Sequence, residues 1–215
     1  MEMSTEAATG KMDGRTGRIA LLLLGSGLCS LVYQTVWLRE MRGVFGSSTS
    51  ATAAVIGIFM GGIGLGGYLL GRLADRHPNP LRLYSTLEFG VALSALATIP
   101  LGRLVSVLYI ASGGSLQLGL GIATILRLLL AILLLGVPTV LMGGTLPAVA
   151  RAVVEESDVK RRSLAVLYGV NTIGAVLGTV GSTFFALEVF GNHRTLIIAT
   201  MVNLLVAMTA RAMSR

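Results

Sequence analysis

The sequence predicts an all-α integral membrane protein of about six transmembrane helices. Charged residues make up only 13% of the 215-residue chain and hydrophobic ones 53%. A soluble domain carries about a quarter charged residues to give it a polar surface, so most of this surface must face something other than water. The apolar residues also fall in runs of at least ~18, enough to cross a ~30 Å hydrocarbon core at ~1.5 Å per residue. The mean hydropathy of +0.80 agrees.

Residues 1–17 are polar, lack apolar periodicity and read as a disordered cytoplasmic leader. A six-helix transmembrane domain is expected over 18–213. Its first apolar run, 19–38, follows Arg15 and Arg18 as a signal core follows its basic start. The run is too long for a signal core, lacks a small-residue cleavage site and ends in Trp37 and Arg39, so it reads as a retained helix. The second helix covers 51–73 and the third 81–101, joined by the polar turn Asp75 to Pro80. Residues 103–119 are less apolar and hold Gly113, Gly114 and Ser115, which predicts an exposed loop with an interfacial turn. The fourth run, 120–149, is too long for one straight crossing, and Pro138 and Pro147 are expected to kink or end it. A charged loop over 151–162 leads to helices over 164–187 and 195–213.

The lysines and arginines set the orientation. With the N-terminus inside, twelve fall on inner segments and five (Arg39, Arg42, Arg103, Arg127 and Arg194) on the outer side, which accounts for all 17. That excess predicts a multi-pass protein of the plasma (inner) membrane with both termini cytoplasmic. It also explains the net charge of +7 without a nucleic-acid partner. The lone Cys29 excludes a disulfide framework and a cysteine metal site, and reads as a small apolar residue within a helix.

Glycines predict how the helices meet. In the second helix Gly57/Gly61, Gly62/Gly66 and Gly67/Gly71 are spaced four apart, and the fifth helix repeats the device with Gly174, Gly178, Gly181 and Ser182. Such faces let backbones approach closely in lipid, where no hydrophobic effect drives helices together.

Ionisable and amide groups within the apolar runs are the candidate functional residues, because inserting a charge there costs about 2.5–3.5 kcal/mol on insertion scales. Glu88 lies two turns into the third helix and Asn171 two turns into the fifth from the same side, so the two fall at one level. Toward the outer side, Tyr33, Gln34, Trp37, Arg39 and Glu40 end the first helix, and Arg127 of the fourth is placed to reach them. Glu88, Asn171, Gln34, Tyr33 and Arg127 are the expected substrate path, with Trp37, Arg39 and Glu40 as gating or structural groups. Tyr33 and Trp37 also fit an interfacial aromatic belt. On the inner side Asp75 is expected to accept from a helix N-terminus and to pair with Arg72 or Arg76, locking that end.

A long outer connection after the third helix divides the six into three plus three, an arrangement similar to half of a major-facilitator transporter built from inverted repeats. Gly71-Arg72-Leu73-Ala74-Asp75-Arg76 is similar to the loop signature between the second and third helices of those transporters, with His77-Pro78-Asn79-Pro80 in place of its trailing basic residues.

Four ordered blocks resemble the membrane region of spermidine synthase-like proteins. They are Ser26-Gly27-x-x-Ser30-Leu31-Val32-Tyr33-Gln34-x-Val36-Trp37-Leu38-Arg39-Glu40; Phe59-Met60-Gly61-Gly62-x-Gly64-Leu65-Gly66; Pro138-Thr139-x-Leu141-Met142-Gly143-Gly144-Thr145-Leu146-Pro147; and Leu167-Tyr168-Gly169-x-Asn171-Thr172-x-Gly174-Ala175-x-x-Gly178. Members of that family commonly fuse this region to a soluble aminopropyltransferase domain with a Rossmann-like fold that binds decarboxylated S-adenosylmethionine. The present sequence has no glycine-rich strand–turn–helix site followed by an acidic residue, and no position to which the family's catalytic residues map. Catalysis on this chain is therefore not expected, and neither is a cofactor or metal. Its two histidines, His77 and His193, fall on opposite sides of the membrane.

The expected function is a transporter-like module for polyamines or another small solute. It would act as a homo-oligomer or beside a separate aminopropyltransferase-like subunit, with the lipid bilayer as its constant partner. The alternatives are a membrane anchor for that enzyme and a non-transporting scaffold subunit.

Overall fold

A computed structural model describes residues 14–46, 49–153 and 160–215, and contains no strand among them. Helix α1 spans Gly14–Phe45, α2 Thr49–Arg76, α3 Pro80–Ala111, α4 Gly114–Val153, α5 Lys160–Gly181 and α6 Leu187–Met213, with a π-helical turn Ser182–Ala186 joining the last two. Five helical stretches are long and apolar enough to cross a membrane, the last covering Leu164–Met213. The chain is thus an all-α, multi-pass membrane protein, and large apolar side chains such as Leu65, Ile125 and Phe184 are exposed around its outside, where lipid would lie.

The helices run further than the apolar runs predict. Helix α1 starts inside the expected leader, at Gly14, and continues past Trp37 to Phe45; residues 1–13 of that leader lie outside the described residues. Helix α3 passes through Pro100 to Ala111, replacing most of the expected loop at 103–119. Only a tight turn at Ser112 and Gly113 separates it from α4. Pro138 and Pro147 do not end α4; its non-helical residue is Gly119, at φ 70° and ψ 166°. Membrane helices keep proline where a neighbouring hydroxyl takes up backbone hydrogen-bonding capacity. Two residues before Pro100 and Pro147, Thr98 and Thr145 donate to the carbonyls of Ala95 and Met142 at 2.6 and 2.8 Å. Of the charged loop at 151–162, residues 151–153 complete α4, 160–162 begin α5, and 154–159 lie outside the described residues.

The chain reverses at Gly191, whose φ of 71° and ψ of 177° suit a residue without Cβ. The Thr195 hydroxyl there donates to the Ala186 carbonyl at 3.0 Å, whereas nine residues of straight helix would hold those positions ~13 Å apart. As a result α5 runs parallel to α1 and the remainder of α6 runs back along it. Gly174 and Gly178 meet Leu24 and Leu28, while Gly25 meets Val206.

Helix α2 packs on α4, α1 on α5 and α6, and α3 on α4 and α6. The closest approaches are glycine against carbonyl. A Cβ on Gly66 or Gly143 would collide with the carbonyl oxygens of Val140 and Ile63, between α2 and α4. A Cβ on Gly174 or Gly27 would collide with those of Leu24 and Asn171, between α5 and α1. Only part of the glycine pattern is used in this way: Gly57, Gly61, Gly64 and Gly181 face open space.

Candidate functional site

The residues picked from sequence divide between two places: a sealed polar cluster where α1, α3 and α6 meet, and an open cavity at the end of the bundle carrying Arg39. Glu88 is the centre of the first. It is 1% exposed, and the Ser26 hydroxyl of α1 donates to its Oε1 at 2.5 Å. From α6, Asn203 Nδ2 donates to the Glu88 backbone carbonyl at 2.8 Å. Asn171 does not touch Glu88 directly. Its carbonyl and side-chain oxygen lie against Gly27, next to Ser26, so Glu88 and Asn171 meet α1 on one turn.

Above this level, the aromatic residues are not an interfacial belt. Tyr33 and Trp37 are both fully buried and stack with ring centroids 5.6 Å apart. Trp37 Nε1 donates to Thr98 Oγ1 at 2.9 Å, and the Tyr33 hydroxyl donates to Thr200 Oγ1 at 3.4 Å. The belt expectation fails because α1 continues two further turns, which moves Trp37 from the helix end into its interior. Gln34, on the same helix, is only partly buried.

Arg127 does not reach the first-helix cluster. Its Nε donates to the Tyr109 hydroxyl at 2.8 Å, and its guanidinium lies 5.4 Å from that ring. Tyr109 exists as a helical partner only because α3 extends beyond Leu101, and it in turn packs edge-on against Phe45 at 5.1 Å.

The cavity has a volume of about 340 Å³, and its lining includes Arg39, Glu40, Arg103, Asn192 and His193. Two pairs involve its lining residues: Arg39 with Glu188 at 3.3 Å and His193 Nε2 with Glu40 at 3.8 Å. Acid and base are mixed here, so the cavity presents no concentrated negative field to a polycation.

At the opposite end the expected lock is absent. No ion pair joins Asp75 to Arg72 or Arg76; the Arg72 guanidinium instead lies 4.2 Å from the centre of the Tyr68 ring. The N-terminus of α3 is capped by Asn79, whose Oδ1 accepts from the Arg82 amide at 3.0 Å. A side chain at the N-cap itself is better placed than Asp75 to take that role.

Sequence reasoning missed Asn203 and Ser26. Asn203 carried the same signal as Asn171, an amide inside an apolar run, and was legible by that rule. Ser26 carried none, because a lone hydroxyl in a membrane helix usually bonds its own backbone. Against known proteins, the chain matches no family model, no curated protein and no solved structure. The likeness to spermidine synthase-like proteins rests on its four sequence blocks.

Proposed function

We propose that the chain is a membrane transport module, a six-crossing unit of two inverted triplets that forms half of a path and is completed by a second copy. Gly191 divides the longest apolar stretch and so raises the crossings from five to six. Register supports the inverted arrangement. Leu24 and Gly27 of α1 meet Gly174 and Asn171 of α5 as Val140 and Gly143 of α4 meet Gly66 and Ile63 of α2. The same three-residue steps recur in both seams, as two triplets of common design require.

The observation that carries the functional reading is Glu88, a carboxyl placed where three helices meet and given hydrogen-bond partners but no cation among the described residues. A group that only filled space would be replaced by an apolar side chain at lower cost. The excess of arginine at one end supports cytoplasmic termini and residence in the plasma (inner) membrane. The sequence blocks make polyamines the first solutes to test, although the mixed charge of the cavity favours a solute with both signs of charge.

Flux of labelled solutes into liposomes carrying the purified chain tests the proposal. Uptake that Glu88→Gln abolishes while insertion and stability persist is expected. Equal flux in the variant would refute it. Native mass in mild detergent should give a dimer, whereas recovery of a soluble aminopropyltransferase-like protein in a tagged pull-down would favour the anchor role.

A further inference from the structure

We propose that the cluster around Glu88 is a proton-binding site, in which the carboxyl takes up one proton and donates it to Oδ1 of Asn203. The inference deepens the transport reading by naming the ion held at its central group, and rests on it only for the use made of that proton.

A count of hydrogens carries it. A hydroxyl or thiol has one hydrogen to give, and around Glu88 each is already committed. Ser26 donates to the carboxyl itself at 2.5 Å. Cys29 donates to the Ala199 carbonyl at 3.4 Å and Tyr33 to Thr200 at 3.4 Å. Thr200 donates to the Leu196 carbonyl at 2.9 Å. Tyr84 donates to the Leu22 carbonyl at 3.3 Å and Ser85 to the Ala207 carbonyl at 2.9 Å. The amide of Asn203 is oriented by its bond to the Glu88 backbone carbonyl, which needs a donor and so fixes Nδ2 on that side. Its Oδ1 is left as the sole buried side-chain polar atom without a partner among the described residues. Buried acceptors are rarely orphaned. The one further hydrogen the cluster can supply is that of a protonated Glu88.

Charge points the same way. The titratable groups facing Glu88 are Cys29 and Tyr33 of α1 and Tyr84 of its own helix, whose hydroxyl also lies beside the carboxyl; α6 brings no titratable group there, only Asn203 and Thr200. No lysine, arginine or histidine forms an ion pair with Glu88 among the described residues. The ionised form would stand in a membrane bundle without a counter-ion, whereas the acid form completes the hydrogen-bond network. Uptake is a simple transfer: a carboxylate and a proton from water give a carboxylic acid, and release reverses it.

Infrared spectroscopy of the full chain in lipid bilayers reads the site directly. At neutral pH a carboxylic acid C=O band should be present, vanish in Glu88→Gln, and shift in Asn203→Leu and Ser26→Ala. Tyr33→Phe, which alters a hydroxyl bonded to Thr200 and not to the carboxyl, should leave the band in place. Absence of the band in the wild type, or a band unmoved by Asn203→Leu, overturns the assignment. Should Asn203→Leu fail to fold, unfolding at neutral pH decides the matter: the wild-type chain should release about one proton more per chain than Glu88→Gln, and equal release overturns the site. These readouts need no transport, so an acid band without flux would leave the proton site standing and remove the transport reading.

Discussion

Adding a single methyl group at different glycines should change stability in opposite directions. At Gly66 and Gly174 the new Cβ meets a backbone carbonyl oxygen of the facing helix, which cannot rotate away as a side-chain tip would. Gly66→Ala and Gly174→Ala must therefore force the helices apart along α2/α4 and α1/α5. Overpacking of this kind costs ~1–3 kcal/mol. At Gly57 and Gly61 the same methyl enters open space, and alanine in place of glycine within a helix is favourable by ~0.5–1 kcal/mol. The two pairs of variants should differ by ~1.5–4 kcal/mol in all, with a change of sign between them. Reversible unfolding in mixed micelles, followed by far-ultraviolet circular dichroism, measures this directly. Equal effects at all four glycines would refute the reasoning, since they would mean that helix propensity and not backbone contact sets the response.

Trp37 is the chain's single tryptophan and is fully buried. Its emission should be blue-shifted and resist aqueous quenchers, and Trp37→Phe should lose ~0.5–1.5 kcal/mol for the bond to Thr98 in addition to its packing. Arg39 and Glu188 are 51% and 69% exposed, so breaking their pair with Arg39→Ala should cost only ~0–1 kcal/mol in an unfolding titration, less at high salt. Glu88→Leu should destabilise more than Glu88→Gln in the same titration, because it leaves the buried Ser26 hydroxyl without its acceptor, worth ~1–3 kcal/mol. In a Cys29→Ala background, cysteines placed at Asp75 and Ser214 should react with an impermeant thiol reagent from one side of the membrane and a cysteine at Glu188 from the other; labelling of Ser214 from the side of Glu188 would exclude a reversal at Gly191.

Much of this architecture could be read from the sequence because lipid imposes simple demands. Apolar runs gave the helices, and the polar interruption near His193 and Arg194 marked the reversal that Gly191 makes. The ends were read less well, since hydropathy reports where lipid stops and not where helical hydrogen bonding stops. That is why α1 and α3 run to Phe45 and Ala111. Arg127 was misassigned for the same reason. Depth placed it near Glu40, but its partner, Tyr109, lies on the part of α3 beyond Leu101, where the sequence predicts a loop. Glu88 was legible because a carboxyl among apolar residues is conspicuous, yet its partners depend on which helix faces meet, and no spacing along one helix reports that. The expected pairing of Asp75 with Arg72 or Arg76 failed on similar grounds: proximity along the chain did not decide where the Arg72 guanidinium would settle, and the Tyr68 ring took it.

The bundle is held by two kinds of seam, and they differ in what they permit. Between α3 and α6, three side chains bond the facing backbone: Asn79 to the Ser214 carbonyl at 2.8 Å, Ser85 to Ala207 at 2.9 Å and Asn203 to Glu88 at 2.8 Å. Helix α1 joins the same unit through Ser26, Cys29, Tyr33 and Trp37. A shift of one residue along any of these contacts would break bonds that have no water to replace them. Between α1 and α5, and between α2 and α4, no side-chain hydrogen bond is formed among the described residues, and in each seam the closest glycine approach is to a backbone carbonyl. The register there is set by the fit of glycine against carbonyl and not by side-chain hydrogen bonds. A rearrangement along the α1/α5 or α2/α4 seam would leave the Glu88 network intact, because none of its bonds crosses either seam. The proton site lies inside the hydrogen-bonded part, and it is linked toward α5 by the turn of α1 on which both Ser26 and the Asn171 contact sit.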